Sequence, residues 1–311
     1  MLKRAGRWLG SGLGYLLYGA GVLVLLLWLL FPKEAARRFA EAALGRACPE
    51  LHWRVGTVAL EMPVALTLRA IEGYGQKGDK HPLVRVEVLT LQPQVIESLR
   101  GGCVQAGYRM AVGKGDVAGW LRLHPGRERL HVEGAARDVR LADMPLLSLQ
   151  LNRTLQGSMA GTFTADLVRA TDAGLSLEAR VKVENGRLGL KRPILSHTEL
   201  PFSQGSVILH GHGETLQFEQ GLVESELFDG RFSGMVIMHG DPLLSQVDVK
   251  GAIQPKNKFF KGLDNTVALQ AFRMQLKDNP LPFRITGDLS NPGIHYEGFA
   301  MLFQTLEKEL K

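Results

Sequence analysis

Leu175-Ser176-Leu177-Glu178-Ala179-Arg180-Val181-Lys182-Val183 places an apolar side chain at every odd position and a polar or charged one at every even position. Successive side chains of an extended chain point to opposite faces, so this stretch reads as a strand with one apolar and one solvated face. Such strands belong to antiparallel sheets that are covered on one side only. The alternating signs of Glu178, Arg180, Lys182 and Glu184 suit a solvated sheet face better than a nucleic-acid surface, even though the whole chain carries a formal charge of +6.

The same alternation spreads in both directions. Val64, Leu66, Leu68 and Ala70 alternate with Ala65, Thr67, Arg69 and Ile71. Further strands are expected at Val84–Leu91, Val104–Val112, Val117–His124, Arg129–Ala135, Met159–Val168, Ser206–His210, Arg231–Met238, Val247–Ile253, Val267–Leu276 and Pro282–Asp288. Helical patterns do not alternate with them, which argues against a doubly wound α/β enzyme. A glycine followed two positions later by an apolar residue recurs, as in Gly161-Thr162-Phe163, Gly186-Arg187-Leu188, Gly230-Arg231-Phe232, Gly234-Met235-Val236, Gly251-Ala252-Ile253 and Gly287-Asp288-Leu289. Glycines at such places permit bends that curl a long sheet. With 36 glycines in 311 residues, some of these matches arise by chance.

Upstream lies an uncharged apolar run from Leu13 to Phe31. Its 19 residues span roughly 28 Å as a helix, close to one bilayer core. A cleaved signal is the alternative, because Lys3, Arg4 and Arg7 precede the run. The run is longer than a signal's apolar region and ends Leu30-Phe31-Pro32 without a small-residue cleavage site, so an uncleaved single-span anchor is expected. Trp28 is a candidate interface residue, and Gly10 and Gly14 have the spacing of a helix-pairing motif, which allows a homodimer. Lys33, Arg37 and Arg38 on the far flank balance the basic tail, so orientation rests on the short tail and large downstream domain: tail cytoplasmic, domain exported. The expected division is a tail and anchor over 1–32, an amphipathic juxtamembrane helix over 33–48, a β domain over 49–298 and a C-terminal amphipathic helix over 299–311. Ala142–Leu151 reads as one more short helix. The fold class is therefore mainly β: one transmembrane helix, then a long, curved antiparallel sheet forming a groove or an open barrel, with short flanking helices.

Motifs for chemistry are sparse. His210, His212 and Glu214 share a strand face by spacing, with His239 as a distant fourth ligand, but histidines in hydrogen bonds or solvent explain them more simply. Gly113-Lys114-Gly115 lacks the ending and the helix of a phosphate loop and reads as a hairpin turn. Gly157-Ser158 through Gly161 is not a nucleophile elbow, and Glu224 with Glu226 reads as a solvated pair. Cys48 and Cys103 form either a disulfide, which an exported location permits, or two free thiols. No catalytic, metal or cofactor residue is assigned, and a non-enzymatic protein is expected.

The order of parts resembles the type II secretion system protein N family and the wider AsmA-like group. The resemblance is carried by the Phe31-Pro32 exit, by Arg54-Val55-Gly56-Thr57-Val58 leading to Ala65-Leu66-Thr67-Leu68, and by the ending Ile285-Thr286-Gly287-Asp288-Leu289-Ser290-Asn291-Pro292. It implies an inner-membrane protein of a Gram-negative envelope with a periplasmic β domain, acting as a scaffold or accessory subunit of type II secretion beside other subunits of that apparatus. The AsmA-like likeness implies the alternative, a groove that binds or transfers phospholipid. Val64, Leu66, Leu68, Leu177, Val181 and Val249 are the candidate groove residues, and Leu13, Trp28 and Phe31 mark the candidate anchor.

Overall fold

The computed structural model describes residues 18–19, 21–22, 26, 28–62, 64–75, 81–124, 126, 129–151, 153–168, 174–194, 197–239, 244–260, 267–276, 280–289, 291–296 and 298. Fourteen strands follow one another in a single sheet: β1 His52–Glu61, β2 Ala65–Tyr74, β3 Val84–Pro93, β4 Val104–Val112, β5 Gly115–His124, β6 Arg129–Arg140, β7 Leu155–Val168, β8 Leu175–Ile194, β9 His197–His212, β10 Thr215–Glu224, β11 Phe228–Ile237, β12 Gln246–Pro255, β13 Leu281–Asp288 and β14 Gly293–Tyr296. Each strand pairs antiparallel with its sequence neighbours, from β1 at one edge to β14 at the other, so the sheet is open and not closed into a barrel. Gly113, at φ +58°, and Lys114 make the tight β4–β5 turn that their sequence suggests.

Helices lie in the connections. Helix α1, Lys33–Ala47, precedes β1; α2, Val95–Gly101, joins β3 to β4; α3, Pro145–Leu151, follows a 3-10 turn at Leu141–Asp143; and α4, Val267–Leu276, joins β12 to β13. The last is a correction, since Val267–Leu276 reads as a strand by alternation. Buried Leu269 and Leu276 are seven residues apart, two helical turns, and Ala, Gln, Met, Leu and Arg fill most of the segment, so helical propensity and period prevail. The expected C-terminal helix over 299–311 lies outside the described residues.

Helix α1 is docked on the sheet. Ala36, Ala40 and Leu44, spaced four apart on one helix face, pack with Phe31 against a core of Val55, Val58, Leu68, Ile71, Val86, Val112 and Val139. Phe39 points away and is exposed. Glu41 Oε1 accepts a hydrogen bond from the Val55 amide at 3.0 Å, satisfying a donor on the otherwise open β1 edge.

The described positions of the N-terminal run are mostly helical, and Tyr18, Val22, Leu26, Trp28, Leu29 and Leu30 are exposed. Among the described residues no helix is long and apolar enough to cross a membrane. Leu13, Gly10 and Gly14 lie outside the described residues. Phe31, the last residue of the apolar run, is partly buried and packs against the domain core.

The uncharged face of the sheet

Residues directly opposite in an antiparallel ladder share a face, so the register fixes which side chains lie together. From Leu66 the partners run to Leu91 and Tyr108, and onward to Gly119, Gly134, Phe163 and Ala179. From Ala179 they continue through Leu209, Phe218, Gly234, Val249 and Ile285 to Ile294. The neighbouring rows on this side are equally apolar: Leu123, Leu130, Leu167 and Leu175 in one, Met110, Val117, Ala136, Gly161, Val181 and Val207 in another. Along these register-paired rows no Asp, Glu, Lys, Arg or His points to this side.

Strict alternation does not by itself keep one face apolar through strands of ten to twenty residues, and the chain resets it in a repeated way. Four non-glycine residues, Ala70, Asp138, Asn185 and Gln220, have φ near +50°. Each falls inside a pair of small or apolar residues spaced three apart: Leu68 and Ile71, Ala136 and Val139, Val183 and Gly186, Phe218 and Gly221. A left-handed residue breaks the pleat, so that positions three apart face the same way. Register shifts accompany the devices at Asp138 and Gln220. In β1–β3 the pairs Val55 and Val58, Leu68 and Ile71, Val86 and Leu89 all join one core cluster.

The glycines on this face have a second role. A Cβ on Gly134 would collide with the Phe163 ring, one on Gly186 with Phe202, one on Gly221 with Phe232 and one on Gly251 with Phe283. Each ring therefore lies across a neighbouring strand's bare backbone, filling what glycine leaves empty. Tyr108 also lies over Gly134, and its hydroxyl donates to the Glu133 carbonyl at 3.1 Å. Burial pushes the Tyr108 phenol up from its ordinary value.

Leu66 and Leu68 on β2, Leu177 and Val181 on β8, and Val249 on β12 all lie on the uncharged face. Leu68 is buried and the other four are half-buried. Val64 is not among them: it precedes β2 in the turn and is 46% exposed. On β8 the contrast between faces is plain, because Ser176, Glu178, Arg180 and Lys182 are exposed while Ala179 is buried. No protein-family model, curated protein or solved structure matches the chain.

The two rims differ. Along one, connections carry helices and buried residues: Val139 and Leu141 near α3, and Phe259, Phe260, Leu269 and Leu276 between β12 and β13. Along the other, which carries α2 and the buried Cys103 and Ser245, Met62, Val64, Val95, Ile96, Leu99, Val104, Leu123, Leu167 and Leu175 are all exposed.

The polar side holds what the sequence reading missed. Arg129 Nε and Nη2 donate to Asp166 Oδ1 at 3.0 and 2.9 Å, and His131 bridges Asp166 Oδ1 at 3.0 Å and Glu133 Oε1 at 3.2 Å. Burial pushes the Asp166 carboxyl up, but the hydrogen bonds from His131 and Arg129 outweigh it and hold the group below its ordinary value. Only the cross-strand register unites these residues, which lie 37 positions apart at most, so no local motif announces them. His210 and His212 share β9, and His210 Nε2 sits 3.6 Å from Glu219 Oε2, while Glu214 lies in the following turn. Among the described residues no group of three or more His, Cys, Asp or Glu is placed to hold a metal. Cys48 is exposed, Cys103 is buried, and both are free thiols.

Proposed function

We propose that this chain is a membrane-anchored protein whose sheet curls about its uncharged face into a trough that holds the acyl chains of phospholipids. The observation that supports it is the continuity of that face: fourteen strands contribute, and its paired rows carry no charge from β2 to β14. At β1–β3 helix α1 packs on this face, and beyond it a single folded layer with so much apolar surface, half-buried and without a second sheet upon it, suits an apolar ligand. Four left-handed residues and the glycines beneath aromatic rings supply the bends that curl the sheet.

Thirteen strand spacings of about 4.8 Å make the face roughly 60 Å long. An acyl chain covers about half of a 30 Å hydrocarbon core, so the trough has room for more than one. Each buried methylene contributes about 0.8 kcal/mol, and a well-covered chain gains roughly 10 kcal/mol before ordering costs. Helix α1 sits over the β1 end, where the uncleaved anchor over 13–31 ties the domain to the inner membrane, with the sheet on the periplasmic side.

The setting we infer is type II secretion, with the chain as an accessory subunit. What favours it is position: the segments that resemble the protein N family, Arg54–Val58 with Ala65–Leu68 and Ile285–Asp288, fall on the two outermost strand pairs, and the β14 edge is where a partner strand adds.

A phospholipid carrying a photoactivatable group in its acyl chain tests the trough. After irradiation of the full-length protein, label is expected on peptides from the uncharged face of β8 and β12. Label confined to residues 13–31 would show a lipid annulus around an anchor and no trough. Loss of exported folded proteins from the medium on gene deletion tests the secretion setting, and undiminished secretion would refute it.

A further inference from the structure

We propose that the cavity on the polar side of the β5–β6–β7 rim holds the phosphate group of an anionic amphiphile whose chains lie over Leu123 and Leu167; the site rests on the trough reading above. The cavity has a volume of about 230 Å³ and is lined by Arg122, His124, Arg129, His131 and Asp166. That is less than the several hundred Å³ that encloses a whole small molecule, and it suits a headgroup.

Alternation puts the two halves of such a ligand within reach of each other. Leu123 stands between Arg122 and His124 in sequence and faces the opposite side, as Leu167 does beside Asp166. Both leucines are unusually open for this face, at 40% and 45%. An amphiphile draped over the rim meets apolar side chains on one side and the cavity on the other.

Within the cavity the charges are unequally engaged. Asp166 is met by Arg129 and His131, so the three largely satisfy one another. Arg122 is different. Its guanidinium stacks 4.0 Å from the Trp120 ring centroid, its Nε donates to Gln105 Oε1 at 3.3 Å, and among the described residues it has no carboxylate partner. His124 Nδ1 is shut off from solvent and, among the described residues, has no hydrogen-bond partner. That nitrogen is closed to a phosphate oxygen as it is to water, so recognition rests on Arg122, whose stacked guanidinium presents its remaining donors as a fork that matches phosphate oxygens.

The test is calorimetric titration of the full-length protein in non-ionic detergent with dioctanoyl phosphatidylglycerol, with uncharged dioctanoylglycerol and with inorganic phosphate. The expected result is that the phospholipid binds at least tenfold more tightly than dioctanoylglycerol, that Arg122→Gln abolishes this advantage, and that dioctanoylglycerol binding is unchanged by the substitution. Arg122 is exposed, so the variant is expected to fold, and an unchanged circular dichroism spectrum checks this. Equal affinity for the two amphiphiles, unaffected by Arg122→Gln, would overturn the headgroup site and leave the trough standing. Inorganic phosphate binding as tightly as the phospholipid would also overturn it, by showing an anion site unconnected to the chains. Binding of neither amphiphile would sink the trough and the site together.

Discussion

Ala70 sits in a left-handed conformation that costs a non-glycine residue about 1–2 kcal/mol, and it does so in the middle of a strand. Replacing it with glycine removes that penalty against an unfolded-state cost of about 0.4–1 kcal/mol, so Ala70→Gly is expected to hold or raise stability by up to about 1 kcal/mol. A branched side chain tolerates the conformation worst, and Ala70→Val is expected to cost about 2 kcal/mol or more. Urea unfolding midpoints check both; equal midpoints for the two variants would mean that the left-handed bend is not required. Gly134 makes a second case. A valine there must displace Tyr108 and Phe163, and overpacking of this kind costs about 1–3 kcal/mol. At Asp166 the folded-state value is depressed, so its stabilising contribution is full above the ordinary carboxylate range and is lost as pH falls through the folded value. Asp166→Asn is expected to be less stable than the parent at neutral pH and to converge with it in acid. A gap that persists at low pH would contradict this origin. These residues were the least legible in the sequence. Ala70 and Gln220 look like ordinary strand residues, and their positive φ is imposed by the ladder around them, whereas Asp138 and Asn185 are types that enter the left-handed region readily and so carry a weak local signal.

Helix α1 shows an element acting as an edge guard. Its Ala36, Ala40 and Leu44 stripe covers the core at the first strand, and Glu41 takes up the amide of Val55. Glu41→Ala strands that amide, which costs about 1–3 kcal/mol, and opens β1 to pairing with other chains. The expected outcome is a lower unfolding temperature with concentration-dependent aggregation, read by light scattering; a variant that stays as stable and as monodisperse as the parent would refute the role. The helix was legible from its spacing. Its register was not, since Phe39 looks like part of the apolar face and is exposed, whereas Ala36 looks incidental and is packed. The strands were legible wherever alternation is strict, as in β8. Segment 267–276 was misread because a run of apolar residues serves either period, and only burial of Leu269 and Leu276 two turns apart decides it.

At the scale of the molecule, a fourteen-strand open meander makes every strand local to its neighbours, so one apolar face extends without any long-range crossover. That face was readable in outline, because alternation names its members strand by strand. Its continuity was not, since the register and the four bends that preserve it arise only when strands pair. The exposed rim and the cavity behind it are products of the same pairing. The central question is whether the uncharged face carries lipid. Native mass spectrometry of the full-length protein, released gently from membranes, tests this most directly. Reproducible phospholipid adducts are expected, and they disappear when Val181 and Val249 are both changed to Asp in a variant that keeps its β-rich circular dichroism. A clean, lipid-free mass for the parent protein, or adducts indifferent to those substitutions, would contradict a lipid-carrying face.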